Sequence, residues 1–170
     1  MNKKSVIFNS IIMGLAGLAL ILAFAPIDNG ASVFLYMRTM FAIAEAEGII
    51  FGIFLLASIL GMLVVFILGL LNLLVSCGVI KSKKASLAFG IVNIIFSAIA
   101  MAAGLFITLG LLANGGLLIG LLLVSLCAIA TLALSIVELV VARKYYKAQV
   151  ATTPVEAQAE EPKAEEPKAE

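Results

Sequence analysis

The side chains of this sequence that could do chemistry are few, and they stand inside long apolar segments. Glu138, Asn72 and Asn93 are each surrounded by Leu, Ile, Val and Gly. A carboxylate buried in a membrane is costly, so such a residue indicates a proton, ion or ligand site by default. The chemistry predicted here is binding by one carboxylate, assisted by neutral amides and hydroxyls.

These polar residues are predicted to lie at similar depths. Counted inward from the nearest basic residues at about 1.5 Å per residue, Asn72 and Asn93 are about 12 Å deep and Glu138 about 7 Å deep. Ser135 is near the level of the two asparagines, and Asn9 belongs to the same half. We therefore predict one intramembrane polar cluster, whose candidate members are Glu138, Asn72, Asn93 and Ser135.

A purely structural interpretation of the same residues stays open, and it is the one that we favour. Glu138 precedes Arg143 by only five residues, so its carboxylate is near enough to reach the interface by snorkelling. Asn72 and Asn93 would then hydrogen-bond across helices, with each contact contributing about 0.6 kcal/mol. The alternative is a proton-linked or ligand-linked site.

Residues for catalysis are scarce. The 170-residue sequence contains no histidine, which excludes His-ligated zinc hydrolases and Ser–His hydrolases. Asp28 is the single aspartate, so a paired-aspartate site is excluded as well. Cys77 and Cys127 are expected to differ in depth by roughly 15–20 Å, too far for a disulfide. We predict a protein that is not an enzyme and has no cofactor or metal.

The composition predicts an all-α integral membrane protein. Hydrophobic residues make up 64% of the chain and charged residues only 12%, against about a quarter in soluble domains. Residues 48–80 carry no charge and would form roughly 50 Å of helix, longer than the membrane core of about 30 Å. Residues 85–137 are also uncharged and are divided by a turn signal at 114–116. The predicted spans are residues 5–25, 48–80, 86–112 and 117–142.

The first apolar segment resembles a signal peptide at one point, because Ala23 and Ala25 fit a small-x-small cleavage site. Its apolar stretch of about 20 residues exceeds the usual 7–15, and Pro26 would follow the cut. Both features favour a helix that is retained.

Residues 32–47 form the sizeable loop between the first two spans. Their apolar side chains share one side of a helical wheel, opposite Arg38 and Glu45, and Ser32 is a candidate N-cap. The segment is predicted to be an interfacial amphipathic helix on the outer surface or an extension of the second span, and the sequence does not choose between them.

The basic residues predict the direction of the spans. Lys3 and Lys4 fall on one side of the membrane with the later basic clusters, and Arg38 falls on the other. We predict that both ends of the chain are cytoplasmic, in the cytoplasmic membrane of a prokaryote. Residues 148–170, which contain six Glu, are predicted to be a disordered acidic tail. The predicted topology determinants are Lys81, Lys83, Lys84, Arg143 and Lys144.

Small residues predict how the spans pack. Membrane helices associate through close approach at small residues and through interhelical hydrogen bonds. Each span carries a small or polar stripe, which in the first span contains Ser10, Gly14 and Gly17. This pattern predicts an antiparallel four-helix bundle. The glycines expected at helix contacts are Gly61, Gly69, Gly104, Gly116 and Gly120.

Two functions remain after these exclusions. The first is a non-enzymatic scaffold or accessory subunit, whose partners are the lipid bilayer and other membrane proteins or further copies of itself, and not nucleic acid. The alternative is a small transporter or channel built around Glu138, Asn72 and Asn93. Polarity thins toward the outer half, where Thr108 and Asn114 are nearly alone, and this favours the first function.

Overall fold

The computed structural model describes residues 3–27, 30–42, 46–79, 83–113 and 118–151. This part of the chain is all-α. Its helices are α1 (Lys3–Phe24), α2 (Val33–Ala42), α3 (Ala46–Ser76), α4 (Lys83–Ala113) and α5 (Ile119–Ala151).

Four of the five helices are long and apolar enough to cross a membrane. These stretches are Lys3–Phe24, Gly48–Ser76, Ala85–Ala113 and Ile119–Tyr145, with 22, 29, 29 and 27 residues. At about 1.5 Å per residue they are roughly 33 to 44 Å long, which exceeds the membrane core of about 30 Å and leaves room for tilt. The prediction of four membrane-spanning helices in an all-α protein is confirmed at this level.

The end of α3 differs from the sequence prediction, which placed it at residue 80. The helix ends at Ser76, and Gly78 adopts a positive φ of 85°. The Gly78 N–H donates to the Val75 carbonyl and the Val79 N–H to the Leu74 carbonyl, both at 3.0 Å. This pairing is a Schellman cap, which glycine favours because it lacks a Cβ. Apolar character continues past the cap, so hydropathy alone placed the end too late.

The end of α5 differs in the opposite direction. The predicted span ended at residue 142, and the predicted tail began at residue 148, yet α5 continues to Ala151. Residues 143–151 include Arg, Lys, Ala and Gln, which are good helix formers, so the helix extends past the apolar segment. The rest of the predicted tail, residues 152–170, lies outside the described residues.

Helix α2 is an element of its own, and it packs against α1 and α3. The Ser32 hydroxyl accepts a hydrogen bond from the Leu35 N–H at 3.1 Å, so Ser32 is the N-cap that the sequence predicted. Val33 and Met37 are buried in the core, one turn apart. The other side chains of α2 are half-buried or exposed, and the exposed ones include the apolar Phe34, Leu35 and Phe41 as well as Arg38.

The four long helices pack in a ring, in which α1 and α4 each contact both α3 and α5. The side chains at the centre are apolar and almost fully buried, which gives the bundle a continuous core. Its larger members are Ile12, Leu55, Met62, Val65, Ile107, Leu121 and Val124. The exposed side chains of the spans are mainly Ile, Leu, Val and Phe, as a surface that faces lipid tails requires.

Glycines allow close helix contacts at several of the predicted positions. A Cβ on Gly61 would lie 2.9 Å from the Ala100 Cβ and 3.2 Å from the Phe96 carbonyl oxygen, so α3 and α4 meet there. A Cβ on Gly104 would lie 2.8 Å from the Ser125 Oγ, at the contact of α4 with α5.

The remaining positions predicted to pack against other helices differ in how closely they do so. A Cβ on Gly69 would make ordinary contact with Met13, at 3.5 Å. Gly120 is buried, and Gly116 lies outside the described residues. In α1 the predicted stripe is displaced, because Ser10 and Gly14 are exposed. The buried positions of α1 are Ser5, Asn9, Ile12, Ala16, Ala19 and Ala23.

We predict that Gly61→Ala destabilises the bundle while Gly14→Ala does not. The methyl group at position 61 would press on α4 backbone and Cβ atoms that cannot rotate away, an overpacking that costs about 1–3 kcal/mol. At Gly14 nothing lies within 4 Å of the added Cβ. Thermal unfolding of both variants in detergent, followed by circular dichroism, measures the difference. Equal melting temperatures would contradict the close contact of α3 with α4.

Candidate functional site

Glu138 lies in the interior of the bundle, where only 1% of its surface is exposed. The Ser5 hydroxyl donates a hydrogen bond to its Oε1 atom at 2.6 Å, and the Asn9 amide donates to the same atom at 3.2 Å. Arg143, in contrast, is exposed. The carboxylate of α5 is therefore directed toward α1, and the snorkelling interpretation does not describe this conformation.

Two chains of hydrogen bonds converge on this carboxylate. In one chain, Ser86 Oγ donates to Asn72 Oδ1 at 2.9 Å, and Asn72 Nδ2 donates to Asn9 Oδ1 at 3.1 Å. The Asn9 amide then donates to Glu138 Oε1 at 3.2 Å, so Asn72 reaches the carboxylate through Asn9. In the other chain, Ser76 Oγ donates to Ser5 Oγ at 3.3 Å, and Ser5 donates to Glu138. We call these six residues, Ser5, Asn9, Asn72, Ser76, Ser86 and Glu138, the polar cluster.

The helical spacing of the polar cluster explains how it assembles. Ser5 and Asn9 are four residues apart on α1, so both lie on the face that meets α3 and α5. Asn72 and Ser76 have the same spacing near the end of α3. The Asn9 amide joins the three helices, because it bonds to Ser76 Oγ at 3.4 Å as well as to Glu138.

Ser86 extends the cluster to the fourth long helix. It lies in the first turns of α4 and is half-buried. The cluster thus lies at the end of the bundle where α1 and α4 begin and α3 ends. The side-chain donors in it are neutral. Apart from the Asn9 amide bond to the Ser5 carbonyl at 2.9 Å, their donations lead toward the carboxylate, whose oxygens accept hydrogen bonds.

The four predicted cluster residues fall into two groups in the structure. Glu138 and Asn72 belong to the polar cluster, whereas Asn93 donates to Ser135 Oγ at 3.2 Å between α4 and α5. Ser135 in turn donates to the Thr131 carbonyl at 2.8 Å. The prediction of one shared layer therefore merged two sites, because depth along a helix does not specify the direction in which a side chain points.

Two buried polar atoms near the second group have no hydrogen-bond partner in the described part of the chain. They are Asn93 Oδ1 and Ser97 Oγ, which lie one turn apart on α4. Buried polar groups are usually satisfied, so these two atoms are the natural places for an internal water molecule.

The half of the bundle away from the polar cluster also contains buried hydroxyls. Ser58 and Ser125 are each 1% exposed. Ser58 Oγ donates to the Ala100 carbonyl at 3.2 Å, and Ser125 Oγ lies 3.3 Å from Thr108 Oγ1. Thr108 also donates to the Gly104 carbonyl, four residues earlier, at 2.8 Å. Such back-bonding satisfies hydroxyls without water, so these residues make helix contacts in the half of the bundle away from the polar cluster.

Sequence reasoning did not place Ser5, Asn9, Ser76 or Ser86 in the candidate site. Serine is common in membrane helices and carries little signal alone. The available signal was the shared four-residue spacing of Ser5 with Asn9 and of Asn72 with Ser76 at the same predicted depth. That spacing predicts one polar face on each helix, and these are the faces that meet.

The other predicted residues are placed as follows. Arg143 and Lys144 are exposed on α5. Lys83 and Lys84 begin α4, with side chains that are outside the described set, as is Lys81. Cys77 and Cys127 are both free thiols. Within the described ranges, no group of three or more His, Cys, Asp or Glu residues is arranged to hold a metal ion.

We predict that Ser5→Ala destabilises the bundle by about 1–2 kcal/mol, the range for loss of a buried interhelical hydrogen bond to a charged group. The variant removes the 2.6 Å donor of Glu138. Ser10→Ala is the matched control, because Ser10 is exposed on the same helix. Thermal unfolding in detergent distinguishes them, and an equal effect of both variants would show that the Ser5 contact contributes nothing.

Comparison of the chain with protein-family models, curated proteins and solved structures gives no match.

Proposed function

We propose that this chain is a non-enzymatic membrane protein that acts as a scaffold or accessory subunit through helix association. The observation that carries the proposal is the contrast between the buried and the exposed side chains of the spans. Buried polar groups bond mainly to one another, while the exposed side chains of the spans are large and apolar. Such a bundle offers lipid and neighbouring helices an apolar surface, on which packing drives association.

We further propose that the spans are antiparallel and that both ends of the chain are cytoplasmic. Three pairs of contacts support this arrangement. Between α3 and α4, the Ser58 hydroxyl donates to the Ala100 carbonyl, and the Ser86 hydroxyl donates to Asn72 Oδ1. Residue numbers therefore rise along α3 in the direction in which they fall along α4. Gly104 with Ser125 and Asn93 with Ser135 follow the same rule between α4 and α5.

Contacts between α1 and α3 support the same topology. Asn9 bonds to Asn72, while Gly17 lies against Phe66. The basic residues that flank the spans then fall mostly at one end, and this excess of positive charge supports a cytoplasmic location for that end. We propose the cytoplasmic membrane of a prokaryote as the location.

A closed interior favours a scaffold over a conducting path. Between the polar cluster and the outer hydroxyls, the core is filled by Ile12, Met62 and Val65, each at most 1% exposed. Protein interiors pack densely, and an apolar plug of this kind presents no polar groups to replace the hydration shell of a solute.

A small transporter or channel is the second candidate, and one observation favours it. Glu138 is buried at 1% exposure, and intramembrane carboxylates in such positions recur in proton and ion pathways. The unpartnered atoms of Asn93 and Ser97 extend polar character inward from the polar cluster. A path through the bundle would require the apolar core to open.

Flux measurements decide between the two candidates. We expect purified protein reconstituted in vesicles to show no ion or solute flux above empty vesicles, and Glu138→Gln to leave this unchanged. Flux that Glu138→Gln alters, with oligomeric state intact, would support the transporter and refute the scaffold. Ser10→Ala is the control for reconstitution efficiency.

The acidic segment gives a second test of association. We propose that residues 152–170, which carry six Glu and two Lys, recruit a basic partner at the membrane. Because α5 continues to Ala151, a chain that stops after Ala151 keeps every described helix. We expect chemical crosslinking in native membranes to lose specific products on this truncation. An unchanged crosslinking pattern would exclude a recruiting role for the segment.

A further inference from the structure

We propose that the polar cluster is a binding site for one small monovalent cation, either a proton or an alkali metal ion, held at the Glu138 carboxylate. This goes beyond the proposed function, because neither a scaffold nor an accessory subunit requires a bound cation. Three features of the cluster support such a site: its charge, its oxygen atoms and its position in the bundle.

The charge of the cluster favours a monovalent cation. Among the described residues, the groups that contact Glu138 are hydroxyls and amides, which carry no charge. A buried ionised group without a counter-charge is strongly unfavourable, even where neutral donors surround it. One monovalent cation makes the site neutral, whereas a divalent ion would leave a buried positive charge in its place.

The side chains of the cluster are also suitable ligands. Ser5 Oγ and Ser76 Oγ lie 3.3 Å apart, and Ser5 Oγ lies 2.6 Å from the carboxylate. Hydroxyls act as donors or acceptors by rotating their hydrogen, and amides present an oxygen by turning. The atoms that donate to the bare carboxylate can therefore turn toward a cation, and hard oxygen ligands suit such ions.

The position of the cluster would make the bound cation a link between helices. Glu138 belongs to α5, and its direct partners Ser5 and Asn9 belong to α1. Asn72 and Ser76 of α3 bond to those two residues, and Ser86 of α4 bonds to Asn72. Binding at the carboxylate would thus stabilise the contacts among all four spans at one end of the bundle. Binding of the cation would change the contact of α1 with α5 first, because Ser5 and Asn9 are the direct partners of Glu138.

Charged residues flank the polar cluster along each neighbouring helix. On α1 these are Lys3 and Lys4, which are exposed, and on α5 they are Arg143, Lys144 and Lys147, also exposed. On α4 they are Lys83 and Lys84, in the first turn. The described residues of α3 near the cluster include one titratable group, the exposed thiol Cys77, which follows the last turn of the helix.

The test is the thermal stability of the full chain in detergent, measured by circular dichroism. Sodium, lithium and potassium chloride are titrated against choline chloride at constant ionic strength, and the pH is varied from 5 to 9 at constant salt. A ligand that binds only the folded state raises the melting temperature, by roughly 5 °C at saturation. Glu138→Gln is expected to lose this response, and the double variant K83Q/K84Q is expected to keep it.

The two cations give different results. Stabilisation by sodium or lithium over choline, absent in Glu138→Gln, assigns an alkali metal ion. No salt effect, but a pH dependence of stability in the native protein that Glu138→Gln removes, assigns a proton. In that case infrared spectra show a protonated carboxyl band that Glu138→Gln lacks. If K83Q/K84Q also abolished the change in melting temperature, the effect would depend on the lysines, and this would overturn the proposal.

Two further variants keep the test decisive if Glu138→Gln fails to fold. Ser5→Ala and Asn9→Ala retain the carboxylate and are expected to raise the cation concentration at half-effect at least threefold. A native protein whose stability depends on neither the cation nor the pH overturns the proposal whatever the variants do. The flux measurement is independent, so failure here leaves the scaffold proposal standing.

Discussion

A carboxylate within a membrane span has to find its hydrogen-bond donors inside the protein, and this constraint organises one end of the bundle. Lipid tails offer no donors, so Glu138 takes Ser5 and Asn9 from α1. Those two residues in turn require Asn72 and Ser76 of α3. Because each bond has a narrow range of distance, the carboxylate restricts how α1, α3 and α5 slide along one another.

Away from the polar cluster, the helices are held together by close approach at small residues. Far from Glu138, α3 and α4 meet where Gly61 lies against Ala100, and α4 meets α5 where Gly104 lies against Ser125. Dispersion contacts at such points hold membrane helices together, since burial from water is not available as a driving force. At the opposite end from the cluster, α2 covers the bundle through Val33. Polar bonding and close packing thus act at different depths.

Much of the fold could be predicted, because the membrane imposes strong local rules. Length and hydropathy suffice for four spans, and the cap at Ser32 follows from its residue type. The ends of α3 and α5 could not be predicted from hydropathy, since the end of α3 depends on the backbone conformation of Gly78 and that of α5 on residues that are polar yet helical. In the structure Glu138 and Asn72 lie in one cluster, whereas Asn93 and Ser135 lie in another.

The sequence by itself determined the class of the protein, because a hydrophobic content of 64% and long uncharged runs permit little except membrane helices. It also determined that a carboxylate lies within one of them. Only the tertiary structure decided which groups that carboxylate meets. Asn93 matches Asn72 in type and in predicted depth, yet it bonds to Ser135 while Asn72 is linked to Glu138 through Asn9. The rotation of each helix about its own axis decides which partner each asparagine meets. That rotation depends on contacts among residues far apart in the chain.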